Sequence, residues 1–189
     1  MLGLFVPVAK QSLREPREAA ATLLSMGVPK PLLWPGFALL VVLSVILIFA
    51  SGPPTSPNGE ILVSPFGLTI SSALAGAASV FLVWKIGGLL GGKGGFDETL
   101  LLTVFLQGMI FAGQLIELAI YIVIPPLADI YYIALIIFMF WLNLNFIAVL
   151  HGFGSLWRAF GVLVLASIGV AFVLVFAMSL AGVRIAGAA

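Results

Sequence analysis

Three clusters of residues have the types and spacing that chemistry uses. In Gly87-Gly88-Leu89-Leu90-Gly91-Gly92-Lys93-Gly94, a glycine, four residues and Gly-Lys approach the phosphate-binding loop pattern. That loop needs a Ser or Thr after the Lys to hold magnesium and a strand before it. Gly94 stands in the first place and an apolar stretch of helix length in the second, so a glycine hinge is expected and no nucleotide. In the second cluster His151 lies four residues before Ser155, a spacing that invites thought of an intramembrane hydrolase. No Gly-x-Ser-x-Gly elbow or second-helix partner accompanies them, and a dyad is a matter of geometry rather than of spacing. The third cluster is Thr103, Gln107, Gln114 and Glu117. At ~100° per residue these fall on one helix side within an arc of about 80°. Inside a bilayer an acid such as Glu117 is costly, and it is read as functional or specifically paired.

What must position these groups follows from composition. Of the 189 residues, 62% are hydrophobic and 8% charged, against the ~25% charged of an ordinary soluble domain. So few charges cannot cover a soluble surface. There is no cysteine and a single histidine, His151, which excludes thiol chemistry, disulfides, a zinc cage and bis-histidine haem. No cofactor or metal is expected. A net charge of +1 gives no reason to expect nucleic acid.

A bilayer core of ~30 Å is spanned by about 20 apolar helical residues, because lipid offers no partner to free backbone groups. Five stretches qualify: roughly Leu32 to Ala50, Leu68 to Leu90, Leu100 to Ile124, Leu127 to Leu150 and Phe160 to Val183. The expected fold class is therefore all-α, a polytopic membrane bundle. A Pro/Gly/Ser loop, SGPPTSPNGE, separates the first two spans, and Pro125-Pro126 forces a tight re-entry between the third and fourth. The division expected is 1–30 as an N-terminal segment and 31–189 as the transmembrane domain.

In that first segment Glu15 to Met26 reads as a short helix, with Glu15 at the N-cap, Pro16 at the first helical position and Gly27 as the stop. It is expected on the membrane surface, with Leu13, Ala20, Leu23 and Leu24 toward acyl chains and Arg14, Arg17 and Glu18 in water. Asp97 or Thr99 is expected to cap the third span and Ser155 the fifth, with Trp157 and Arg158 at headgroup level. Seven basic residues (Lys10, Arg14, Arg17, Lys30, Lys85, Lys93 and Arg158) share one side if the amino end is inside; Arg184 alone lies opposite. Basic residues favour the cytoplasmic side, so the amino end is expected there and the carboxyl end, RIAGAA, across the membrane. Partners for the third-span stripe are sought in Asn143 and Asn145, in Ser71 and Ser72, or in Lys85. On the second span, Ser72 to Gly76 and Ala75 to Ser79 repeat small residues four apart, which suits close packing within the bundle or between copies.

Several of these motifs taken together resemble a known family. Pro-Arg-Glu at Pro16 to Glu18, the Gly-rich turn entering Phe96-Asp97-Glu98-Thr99-Leu100, and the final turn from His151-Gly152-Phe153 to Trp157-Arg158-Ala159 look like bacterial members of the Yip1 domain family. The resemblance runs over most of the chain. It implies five spans with a cytoplasmic amino end. Eukaryotic members are associated with membrane trafficking and Rab-type GTPases, but the family's Asp-Leu-Tyr-Gly-Pro motif is absent here, so GTPase binding is not carried over.

The expected function is non-enzymatic: a scaffold, adaptor or accessory subunit of a bacterial cytoplasmic membrane. Its partners would be the lipid bilayer and a membrane protein or further copies of itself, met through Arg14, Arg17, Lys93, Trp157 and Arg158. The alternative is a small-solute or proton carrier or channel using Thr103, Gln107, Gln114, Glu117, Asn143 and Asn145. An inverted repeat would favour it, and none is visible.

Overall fold

The structure is a computed structural model that describes residues 2–56 and 58–180, with side chains from residue 5. Seven α-helices make up almost all of it: α1 (Leu2–Ser12), α2 (Pro16–Ser25), α3 (Leu33–Ser51), α4 (Pro65–Leu89), α5 (Phe96–Val123), α6 (Pro125–His151) and α7 (Leu156–Leu180). The last five are long and apolar enough to cross a membrane. They carry the five expected spans with ends shifted by a few residues. Arg184 and the RIAGAA terminus lie outside the described residues.

Neighbouring spans pair as α3–α4, α4–α7, α7–α6, α6–α5 and α5–α3, which closes a ring, and α4 also reaches α5 and α6 across it. The prolines act as expected at the tightest link: α5 stops at Val123, Ile124 turns the chain, and Pro125 and Pro126 open α6 without needing amide donors. Lys30 pairs with Asp97, which sets the starts of α3 and α5 at one level. We call this end, with its clustered basic residues, the basic end. At α5 the capping differs from expectation. The N-cap is Gly95, whose N–H donates to Glu98 Oε2 at 2.8 Å. Asp97 and Thr99 sit inside the first turn, with the Thr99 hydroxyl donating back to Gly95 O. Helix α7 follows expectation, since Ser155 Oγ accepts from Trp157 N–H at 3.2 Å.

Two corrections concern the N-terminal segment. A first helix, α1, was not foreseen. And α2 does not lay its apolar face on lipid: Ala19 and Ala20 are fully buried and Leu23 nearly so, within the core formed with α5 and α6. Arg17 is not simply in water either, because its Nε donates to Asn145 Oδ1 on α6 at 3.3 Å. Glu15 occupies the N-cap without a side-chain cap bond. Instead it hydrogen-bonds Glu18 one turn on, and together with like-charge repulsion this raises the Glu18 carboxyl above its ordinary range. Phe5 of α1 lies against Phe105, ring centroids 5.1 Å apart, and reaches as far as Gly108. That is about 18 Å along α5 at 1.5 Å per residue. The α1–α2 pair is therefore wedged into the bundle rather than floated on a surface.

Candidate functional site

The Gly-rich turn and the His151 turn, far apart in sequence, interlock at the basic end. Both helices that enter it finish in the same way. At the end of α4, Gly91 takes φ +86 and Gly92 N–H returns to Gly87 O at 2.8 Å. At the end of α6, Gly152 takes φ +67 and Phe153 N–H returns to Ala148 O at 2.8 Å. Both are six-to-one closures with a left-handed glycine, the backbone shape a side chain resists. The closures place His151 between the two turns. Its ring is 1% exposed and stacks on Phe153 at 5.3 Å. A Cβ at Gly87 would overlap the ring, and one at Gly92 would stand 2.5 Å from Nδ1. Lys93 N–H donates to His151 O at 3.2 Å, and Gly94 abuts Leu150. The loop with a phosphate-loop outline thus receives a histidine ring where a ligand would sit, and the helix α4 precedes it. Both nitrogens of His151 are buried without a hydrogen-bond partner, while the exposed Ser155 is engaged at the start of α7. The two do not form a dyad.

Beneath this cap lies a cavity of about 580 Å³ to which all five spans contribute. Its top is closed by Val83, Thr99 and Leu150, each buried. Its polar lining comes from Ser72, Ser79, Thr99, Thr103, Gln107, Asn143 and Ser167, and no ionisable side chain lines it. The small residues of α4 face inward here: Gly76 packs under the ring of Phe37, and Ser72, Ala75 and Ser79 line the cavity. Their spacing therefore serves an internal contact.

The third-span stripe is divided by this arrangement. Thr103 and Gln107 line the cavity together with Asn143, and Gln107 Nε2 donates to Ser44 Oγ of α3 at 3.5 Å, the long end of the range. Asn145, two residues from Asn143, turns the other way; it accepts from Arg17 and donates to Trp141 O at 2.9 Å. Gln114 and Glu117 lie beyond the cavity. Gln114 Oε1 is buried and unpartnered, and Glu117 has Asp129 and Tyr131 of α6 as electrostatic neighbours. Lys85 is exposed at the opposite end, over the Trp84 ring at 4.8 Å, and does not pair with Glu117. Arg14, Lys93 and Arg158 are exposed, and Trp157 is 80% exposed. Ser44, buried and alone in an apolar span, had no sequence pattern to announce it. Ser72, Ser79 and Ser167 line the cavity, and Ser44 reaches it through Gln107.

The family model for the Yip1 domain matches residues 10–178. The chain belongs to the Yip1 domain family. That match takes in α2, both interlocked turns and the spans up to residue 178, and it begins at the third residue from the end of α1. No curated protein and no solved structure matches the chain. As a Yip1 domain protein it is an integral membrane protein with five candidate spans, of a family that is non-enzymatic.

Within this Yip1 domain, Glu117 stands about 9 Å from the end of α5 at 1.5 Å per residue, close enough to the interface for its carboxylate to snorkel. Glu117→Gln is accordingly expected to melt with the parent and to keep its phenotype. Glu117→Leu should cost about 0.6 kcal/mol and no more than ~2, the range of polar contacts in bilayers. A Gln variant that inserts and melts normally yet loses a proton-dependent activity would show that the carboxyl works as an acid.

Proposed function

We propose that this Yip1 domain protein is a non-enzymatic scaffold, adaptor or accessory subunit of a bacterial cytoplasmic membrane, with the basic end cytoplasmic and the carboxyl end opposite. The observation that carries the reading is the interlocked cap. With His151 seated between two glycine turns and α1–α2 packed on α5 and α6, the exposed Arg14, Lys93, Trp157 and Arg158 stand on a fixed frame. A rigid face spares a partner the entropy of ordering it. The same cap argues against a conduit, because the cavity below it is closed toward the basic end.

The test is purification from source membranes in gentle detergent, comparing the parent with Lys93→Glu/Arg158→Glu. The reading expects a stoichiometric partner that the charge reversal releases without lowering the melting temperature. Recovery of the chain alone from both preparations would remove it. Orientation has its own check: reporters fused at Gly92 and Gly154 should read cytoplasm, and those after Asn58 and at Ala189 the opposite side. A cytoplasmic signal at Ala189 would contradict the odd span count.

One observation favours carriage of a small solute as a second reading, namely the polar cavity in the middle of the bundle. Such a carrier would use Thr103, Gln107 and Asn143, and would have to part His151 from Gly87 and Gly92 in each cycle.

A further inference from the structure

One polar residue on each of the five spans lies at a common level, while Thr99, Thr103 and Ser72 line the central cavity above and below it. Counted from the basic end, Ser44 is eleven residues into α3, Ser79 ten from the end of α4, Gln107 eleven into α5, Asn143 eight from the end of α6 and Ser167 eleven into α7. At 1.5 Å per residue they all lie about 12–17 Å deep, the middle of a ~30 Å hydrocarbon core. Four of them line the central cavity, and Ser44 joins through Gln107. None is ionisable.

This girdle is reachable from the side. A second cavity of about 370 Å³ lies between α6 and α7 and shares Ile110, Asn143, Leu163 and Ser167 with the first. Its outer residues are apolar and exposed: Phe140 at 46%, Val164 at 38% and Ile168 at 61%. The α6–α7 gap thus sets exposed apolar side chains beside the amide and hydroxyl that the two cavities share. Asn143 stands at its inner end, and among the described residues no side chain or carbonyl takes up its amide, in contrast to Asn145.

We propose that the two adjoining cavities bind an uncharged, hydroxyl-bearing lipid from the bilayer, with the hydroxyl at Asn143 and the Ser79–Gln107–Ser167 level and the hydrocarbon tail passing out between α6 and α7. Charge decides the ligand class: a phosphate or carboxylate head would be stranded at the midplane with no counter-ion, whereas a hydroxyl both donates to and accepts from an amide. Volume agrees, since sites for drug-sized small molecules are roughly 300–1,000 Å³. The proposal goes beyond the scaffold reading and does not rest on it, because a resident lipid is compatible with a scaffold and with a carrier.

The test uses the full chain in nanodiscs and a long-chain alcohol bearing a diazirine on its tail, beside the corresponding fatty acid, phosphate monoester and hydrocarbon. The alcohol should label peptides carrying Phe140 and Ile168 saturably and be competed by unlabelled alcohol. Asn143→Leu should weaken the half-saturating concentration about fivefold, the loss of one neutral hydrogen bond. Ser167→Phe, at an exposed position in the gap, should abolish specific labelling while the melting temperature holds. It also keeps the question answerable if Asn143→Leu fails to fold. Equal labelling by the hydrocarbon, stronger labelling by either anion, or full labelling of Ser167→Phe would overturn the proposal, as each describes ordinary boundary lipid or a different ligand class.

Discussion

Gly87→Ala should destabilise the protein by about 2 kcal/mol, although the substitution ought to help. In a helix interior Ala is favoured over Gly by ~1 kcal/mol, and Gly87 lies within α4 with ordinary helical backbone. What reverses the sign is the His151 ring, which occupies the place where the new methyl would go. Overpacking of this kind costs about 1–3 kcal/mol once neighbours have shifted. The imidazole cannot shift far, because Gly92 closes its other side and Phe153 stacks on its face. In a His151→Ala background the obstacle is gone, and Gly87→Ala should become neutral or stabilising. A thermal or denaturant melt of the four proteins in detergent gives the coupling directly. If Gly87→Ala costs the same with and without the ring, the two turns are not held together by His151.

That cycle bears on function as well as on packing. A carrier would need the turns to separate, and a loosened cap in Gly87→Ala would raise its rate; a scaffold would lose its fixed face and its partner. One substitution therefore moves the two readings in opposite directions, which the Glu117 substitutions do not.

How much of this was legible in the sequence depends on what a residue pattern can encode. The spans were legible because bilayer thickness fixes their length and prolines and glycines mark their ends. The surface placement of α2 failed for a physical reason. An amphipathic helix announces that one face is apolar, but not whether that face meets acyl chains or the side of a bundle, which are equally apolar. Ala19, Ala20 and Leu23 meet the bundle. Helix α1 contains Pro7, and Phe5, Val8, Ala9 and Ser12 recur at helical spacing on its inward face. The third-span stripe was read at the right angle and over too great a length. Thr103 and Gln107 line the cavity, whereas Gln114 and Glu117 do not, although Leu174 of α7 lines it at the depth of Gln114. The seat of His151 in the 87–92 turn joins residues some sixty positions apart, and nothing local signals it.

Phe146→Ala should have the largest effect of any single truncation, and that effect should be concentrated in the N-terminal helices. Phe146 is fully buried and stacks on Phe105 at 5.8 Å and 17°, and Phe105 in turn meets Phe5. This file of three rings runs from α6 through α5 to α1. In a soluble core Phe→Ala costs about 3–5 kcal/mol, part of it transfer from water and part the cavity left behind. The transfer part shrinks in a bilayer, because separated helices are surrounded by lipid as apolar as the core. The cavity part remains, and it is enlarged here because Phe146 also borders the central cavity. A global loss of about 2–3 kcal/mol is the expected remainder. Locally, α1 loses the ring that holds Phe105 in place, while α2 keeps Ala19, Ala20 and the Arg17–Asn145 bond. Hydrogen exchange should therefore quicken across residues 5–12 well before it quickens in residues 16–25, with α4 and α7 unchanged. Uniform quickening through all seven helices would mean that Phe146 supports the whole ring of spans and that the N-terminal wedge is not held by this stack.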